Sequence, residues 1–482
     1  MSHYILSIDI GTTSAKALAV QADGTVLFHL HQFYPTFYPQ SGFAEQTPAE
    51  IFRAVELLIA HAKEQSKQEP MAIVLSCAMH GLMAVDEKGN ALTNLIIWSD
   101  TRSKAEARSL KASAEGVEIY QQTGTPIHPM SPLCKLMWLK NHQQSIFKNA
   151  FKFISIKEYI VYHWTGEFII DYSLASATGL FNSQTLRWSQ DALRCVSVLD
   201  LQLSLPVSPR HSVKFLPSVA KRLGISDQIP LVVGASDGCL AQLGSSAMNK
   251  GDMTLTLGTS GAVRVCTQSF TVDPLQRTFT YLLEPNKFIS GGSINSGTAV
   301  MDWFAREFNS ISLTDMVDQV KHLPAGCEGL VSLPHLLGER APYYSAEARG
   351  VFFGVTVHHT SRYFQRALLE GICYQLRSVV EVMEELHGRQ KKILVSGGII
   401  RSHPWLQMLS DVLGRELTVQ KEHDASALGA AYLAFDSLDV SILPTQQPIE
   451  LLQPNLENHQ AHDNAYVLFQ KLNRQLQPLF DA

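Results

Sequence analysis

The chain has 482 residues, a net charge of −5, and 45% hydrophobic against 17% charged residues. That length exceeds one ordinary core and predicts two domains, and the charge gives no basic footprint for nucleic acid. No apolar run approaches the ~20 residues that span a bilayer. No charged-then-apolar leader precedes the first strand, and the seven scattered cysteines contain no CxxC pair, so neither a zinc site nor a disulfide framework is indicated and a reducing cytoplasm is the expected compartment.

Residues 4–10 read as a strand, followed by a tight turn and a second strand over 15–20; Asp23-Gly24 then closes a hairpin into 26–30. Asp9 ends an otherwise apolar run. An ionised carboxylate there is costly unless something compensates it, and a divalent cation would. Gly11, Thr12, Thr13 and Ser14 follow, giving a backbone that a phosphate can approach and hydroxyls that donate to it. The construction returns at 255–263, where Gly258, Thr259 and Ala262 repeat Gly11, Thr12 and Ala15, and Ser260 replaces Thr13. Thr256 stands in the place of Asp9, so metal contact is expected from the first copy alone. Either segment taken singly reads equally as an ordinary hairpin turn. Two in matching context suggest a duplicated fold with a nucleotide held between its halves. Walker A and GxGxxG patterns are both absent.

Residues 48–67 predict an amphipathic helix, with Thr47 as its cap and Ile51, Val55, Leu58, Ile59 and Ala62 as its apolar face. A buried strand over 71–76 ends in Cys77-Ala78-Met79-His80-Gly81, and a run over 95–98 ends in Ser99-Asp100-Thr101-Arg102. Ligands bind at strand ends in open α/β sheets. Met79, His80, Gly81, Asp100 and Arg102 are therefore candidates for a polyhydroxylated ligand, with Arg102 suited to a carboxylate. The competing readings are a core histidine at 80, and a helix cap with a surface ion pair at 100–102.

Near Ser131-Pro132 a helix begins, and Met130–His142 resembles, at every constrained position, the first signature of the FGGY carbohydrate kinases. Gly350–Val355, continuing to Ala367–Gly371, resembles the second signature, departing from it at Tyr363 and Leu368. The likeness runs from about residue 4 to about residue 440. Within the family, Trp98–Arg102, Thr123–Met130, Ile156–Tyr159, Asp171–Phe181 and Gly338–Pro342 resemble the gluconate-phosphorylating branch, while D-xylulose-phosphorylating members share Met79-His80-Gly81. The resemblance implies an α/β fold of two actin-like (ribonuclease H-like) ATPase domains, 1–245 for sugar and phosphate and 246–482 for nucleotide, with the active site in the cleft between them.

Further along, a strand over 231–234 leads to Asp237 between Gly234 and Gly238. A carboxylate there suits the acceptor of a hydroxyl proton, or caps the following helix. The resemblance makes it the catalytic base. After the 255–263 copy come a hairpin over 279–290, a glycine-rich turn through 291–297 and a helix over 298–308; this element, with Gly297, resembles the nucleotide-side connection of sugar kinases. A strand over 391–395 ends at Gly397-Gly398, which resembles the adenosine motif, and Ala425–Phe435 predicts a helix closing the second half. The expected chemistry is ATP- and Mg²⁺-dependent phosphorylation of a linear sugar acid, D-gluconate first, with D-xylulose or another polyol as the alternative and a non-kinase ATPase switch further off. Lys157 joins Arg102 as a carboxylate grip. The expected partners are small molecules, with a homodimer left open and no nucleic acid or membrane.

Overall fold

The computed structural model describes residues 4–66, 68–309, 312–420, 424–442 and 449–480. Two mixed sheets dominate. The first has six strands in the order Ser212–Lys214, Pro230–Ser236, Ala72–Cys77, Tyr4–Ile10, Ser14–Gln21, Val26–Phe33. The second has seven, in the order Phe279–Glu284, Lys287–Ile294, Gly261–Thr267, Asp252–Leu257, Lys392–Ser396, Leu417–Gln420, Ile449–Leu452. Their centres repeat one pattern. Tyr4–Ile10 pairs antiparallel with Ser14–Gln21 and parallel with Ala72–Cys77; Asp252–Leu257 pairs antiparallel with Gly261–Thr267 and parallel with Lys392–Ser396. The duplication suggested by the two GT[ST] segments is thus a duplication of sheet topology.

Tyr4–Ile10 is buried throughout, which fits its near-continuous apolar run and its place inside a sheet covered on both faces. Helix Pro48–Ser66 buries the predicted face, Ile51, Val55, Leu58, Ile59 and Ala62. Each half has its own core. A third cluster joins them: Ile5, Ala72, Val74 and Val232 of the first sheet pack with Ala427, Ala430, Ala431 and Ala434 of helix Ala425–Ser437. That helix, expected to close the second half, lies against the first sheet. Its alanines let the backbone approach closely, so it serves as a joint between the halves.

Other local expectations shift. Around 166–170 the sequence suggests a hairpin, but Ile169–Asp171 pairs parallel with the distant Leu205–Val207. The predicted turn over 291–297 is strand as far as Ile294, and the helix begun at Thr298 is α-helical only to Phe304. All seven cysteines are free, five of them buried. Among the described residues no helix is long and apolar enough to cross a membrane.

Candidate active site

Between the sheets lies a cavity of about 210 Å³ whose wall includes Thr12, Met79, His80, Trp98, Asp237, Ser260, Arg264, Tyr281, Arg340 and Tyr344. A wider cleft of about 940 Å³, lined by Lys16, Ser396, Gly397, Arg401 and Ser426 among others, lies beside it. Thr256 lines both, so the two meet at the second hairpin. Thr12 from one half and Ser260 from the other therefore face a common space with Asp237.

The first hairpin turns where Gly11 donates to the Ser14 carbonyl at 3.0 Å. Thr12 is fixed by the Trp98 indole, which donates to its hydroxyl at 2.9 Å, and by the Gln46 amide on its carbonyl at 2.5 Å. Thr13 is exposed, as is Thr259 in the second hairpin. Gly258 donates to the Ser260 carbonyl at 2.9 Å, and the backbone N–H of Thr298 returns to the Gly258 carbonyl at 2.8 Å. Gly297 and Gly397 press on this hairpin: a Cβ on Gly297 would lie 2.6 Å from the Gly258 carbonyl oxygen, and one on Gly397, with φ +89°, 2.6 Å from that of Leu257. Neither place admits a side chain. Gly398 lies next to Gly258 and touches less.

Asp9 sits one residue from the end of its strand. Its Oδ1 accepts from the Ser76 hydroxyl at 2.6 Å and its Oδ2 from Ser426 at 3.0 Å. Burial pushes its pKa up, against the pull of the Ser76 hydrogen bond and the Lys16 charge. Lys16 itself pairs with Asp424 at 2.5 Å. A buried carboxylate among hydroxyls, one of them the Ser426 hydroxyl on the wall of the wider cleft, is an all-oxygen donor set, which fits a hard divalent cation that would also draw on phosphate oxygens.

Helix Asp237–Gly244 is capped by Ser236, whose hydroxyl accepts from the Cys239 N–H. Asp237 is released from the capping role: its Oδ1 accepts from Gly238 at 2.7 Å and the carboxylate lines the cavity. Burial, then the Asp9 charge, raises its pKa from 3.8 to about 6, with Arg264 opposing.

His80 has φ +68°, a conformation unusual for its residue type, and two contacts hold it there. Lys135, from the first signature's helix Pro132–His142, donates to the carbonyls of His80, Ile96 and Ile97 at 2.6, 3.1 and 2.8 Å. Burial lowers that amine to about 7. His80 Nδ1 lies 2.8 Å from the Ala177 carbonyl, which can only accept, so Nδ1 carries the proton and Nε2 is the acceptor, with the Tyr281 hydroxyl 3.4 Å from it. Burial, with Lys135 beside it, pushes the ring down to about 3, so it is neutral. Met79 borders the cavity next to it, while Gly81 faces away against Leu95.

Three predicted sugar-side residues stand elsewhere. Arg102 is bound to Asp100 at 2.8 Å and Glu45 at 2.6 Å, with its guanidinium 3.9 Å over the Phe43 ring and 5.0 Å from that of Trp138. Asp100, fully buried, also accepts from the Ala44 N–H. Lys157 is buried against Asp171 at 2.7 Å and the Ala235 carbonyl. None of the three borders the cavity. The cations that do are Arg264, in the strand after the second hairpin, and Arg340, which stacks over Trp98 at 4.8 Å and is held by Asn295 and the Ile294 carbonyl. Arg264 had a signal in the sequence: it is the one charge inside the apolar run Ala262–Cys266.

The N-terminal domain model of the FGGY family of carbohydrate kinases matches residues 4–244, and the C-terminal domain model matches 253–438. A gluconokinase of Bacillus subtilis is 38% identical over 90% of this chain and 87% of its own length. The crystal structure of a gluconate kinase from Lactobacillus acidophilus superposes with a TM-score of 0.93 at 30% identity, covering 99% of this chain and 98% of that one. A ligand-bound xylulose kinase from the same organism gives 0.93 at 30% identity, with 98% of each chain covered. With both domain models matched in order across the two sheets that enclose the cavity, the chain belongs to the FGGY family of carbohydrate kinases.

Proposed function

We propose that the enzyme transfers the γ-phosphoryl group of ATP to the terminal primary hydroxyl of D-gluconate, giving 6-phospho-D-gluconate. The observation that carries this reading is a cavity lined by one acid of raised pKa and two arginines, which shares Thr256 with a cleft large enough for a nucleotide. An acid of pKa about 6 can accept a hydroxyl proton near neutral pH. Two arginines in a small cavity suit an anionic substrate, which a neutral ketose is not. The gluconokinase relative supports the same choice.

In this mechanism Asp237 takes the proton from the attacking hydroxyl, and neutral His80 accepts a hydrogen bond from another hydroxyl through Nε2. The Gly11–Thr13 and Gly258–Ser260 segments donate to the β- and γ-phosphates, while Gly297, Gly397 and Gly398 let nucleotide and backbone lie close. Asp9 would hold Mg²⁺, which when bound neutralises charge on the phosphates. Closure of the two halves excludes water, which would otherwise accept the phosphoryl group.

A coupled ADP-release assay over sugar acids, pentuloses and polyols tests the reading. D-gluconate is expected to give the highest kcat/KM. A preference for D-xylulose would transfer the chain to the other branch, and ADP release indifferent to any sugar would remove the kinase reading in favour of an ATPase switch.

A further inference from the structure

Arg264 occupies a slot made for it. It stands mid-strand in Gly261–Thr267, between buried Val263 and Val265, with Gly291 as its partner on the neighbouring strand. A Cβ on Gly291 would lie 3.1 Å from Arg264 Cγ, and a Cβ on Gly238 would lie 3.3 Å from Nη2 and 3.4 Å from Nε. Two glycines, one under the stem and one under the head, thus make room for the side chain beside Asp237. Yet the head is not satisfied. Nε is buried without a hydrogen-bond partner, and Arg264 forms no ion pair with any described residue. Burial draws its pKa below the usual arginine value, with the Asp237 charge opposing, but a guanidinium stays charged at any working pH. An unpaired buried cation is expensive unless a ligand completes it.

The other cations of the region are committed. Arg102 and Lys157 are closed off by Asp100, Glu45 and Asp171. Arg340 spends Nε on Asn295 at 2.8 Å and Nη2 on the Ile294 carbonyl at 3.0 Å, next to Glu339 in sequence. Arg264 has its donors in hand. We propose that Arg264 receives the substrate's carboxylate, with Arg340 as a second cation on the same wall, and so sets the choice of a sugar acid over a neutral sugar. This inference rests on the sugar-acid reading above.

The test is steady-state kinetics with D-gluconate for the wild type, Arg264→Gln and Arg264→Lys, alongside calorimetric binding of D-gluconate and of D-glucitol, which has the same chain length without the carboxylate. Loss of a charged, two-point contact should raise KM for D-gluconate about 100-fold in Arg264→Gln with a much smaller change in kcat. Arg264→Lys, which keeps the charge but not the fork, should fall between. D-glucitol affinity should move far less than D-gluconate affinity. A fall in kcat with KM held would make Arg264 a positioning residue for Asp237 and overturn the proposal, as would equal losses for both ligands. If Arg264→Gln does not fold, Arg264→Lys carries the same readout. A wild type that fails to bind D-gluconate would sink the sugar-acid reading itself. A wild type that binds it as well as both variants do would sink only the role of Arg264.

Discussion

In the first half Asp9 faces Ser76 across the parallel pair Tyr4–Ile10 and Ala72–Cys77; in the second, Thr256 faces Ser396 across Asp252–Leu257 and Lys392–Ser396. The registers are equivalent, and each pair is hydrogen-bonded: the Ser76 hydroxyl donates to Asp9 at 2.6 Å, and the Thr256 and Ser396 hydroxyls lie 3.1 Å apart. Beyond Ser76 the chain runs to Met79 and His80 at the smaller cavity; beyond Ser396 it runs to Gly397 at the wider cleft. The hairpins differ too. Ile10 pairs with Ala15 around a four-residue loop, whereas Leu257 pairs with Gly261 around a three-residue one. The two halves share their geometry but not their polarity: the acid stands on one side only. Asp9 already raises the pKa of Asp237, and a third carboxylate at Thr256, which lines the same cavity, would raise it further.

Asp237→Asn asks the most of this asymmetry. Under the proposed mechanism the base is Asp237, in the first half, so kcat should fall about 10²–10⁴-fold, while ATP binding measured by calorimetry stays unchanged. In the wild type the base works only when ionised, so kcat/KM should drop tenfold per pH unit below about 6. The stability effect has the opposite sense. A carboxyl raised from 3.8 to about 6 binds its proton more tightly when folded, so its ionisation destabilises the fold increasingly from pH 4 to 6 and fully above 6. Asp237→Asn should therefore melt higher than wild type at pH 8 and lose that advantage at pH 4. Retained turnover in Asp237→Asn would take the base role from this residue.

Swapping the paired positions sharpens the comparison. Asp9→Asn should lower kcat on the order of 10²-fold and weaken the dependence on Mg²⁺. Thr256→Val, which removes one hydroxyl from the equivalent place, should cost less than about tenfold. Similar losses in both variants would mean that the two copies share the phosphate load equally and that the assignment of the metal to one half is wrong.

Much of this was legible because it is local. Strand Tyr4–Ile10, helix Pro48–Ser66, the helix start near Ser131-Pro132 and the two hairpins follow from hydrophobic period and turn residues, and the structure brings the hairpins to one cavity as the repeat suggested. Arg102 was misplaced for a physical reason. The strand-end rule gives the edge of a sheet but not the direction in which a side chain leaves it. Phe43 and Glu45, more than fifty residues earlier, turn this one inward. Lys157 is likewise claimed by Asp171, a partner that no spacing announces. Arg264 was visible as a charge in an apolar strand, but its importance depends on Gly238 and Gly291, which only the fold brings under it.

The smallest effect expected concerns the joint between the halves. Helix Asp237–Gly244 follows the strand Pro230–Ser236, and helix Ala425–Ser437 comes after the equivalent strand Leu417–Gln420. The two helices cross symmetrically: a Cβ on Gly244 would lie 1.9 Å from the Ala425 carbonyl oxygen, and one on Gly429 would lie 2.0 Å from that of Leu240. Each glycine thus sits on the carbonyl of the residue four positions before the other. Gly244→Ala and Gly429→Ala should each destabilise the protein by about 1–3 kcal/mol through overpacking, and by similar amounts, because the contact is mutual. Thermal melts of both variants measure this. Near-equal shifts would show that the crossing has kept the symmetry of the duplication, while the Asp9 and Thr256 variants show that the chemistry has lost it. A tolerated alanine at one site and a damaging one at the other would mean that the joint too has become one-sided, with one helix free to give way when the halves close.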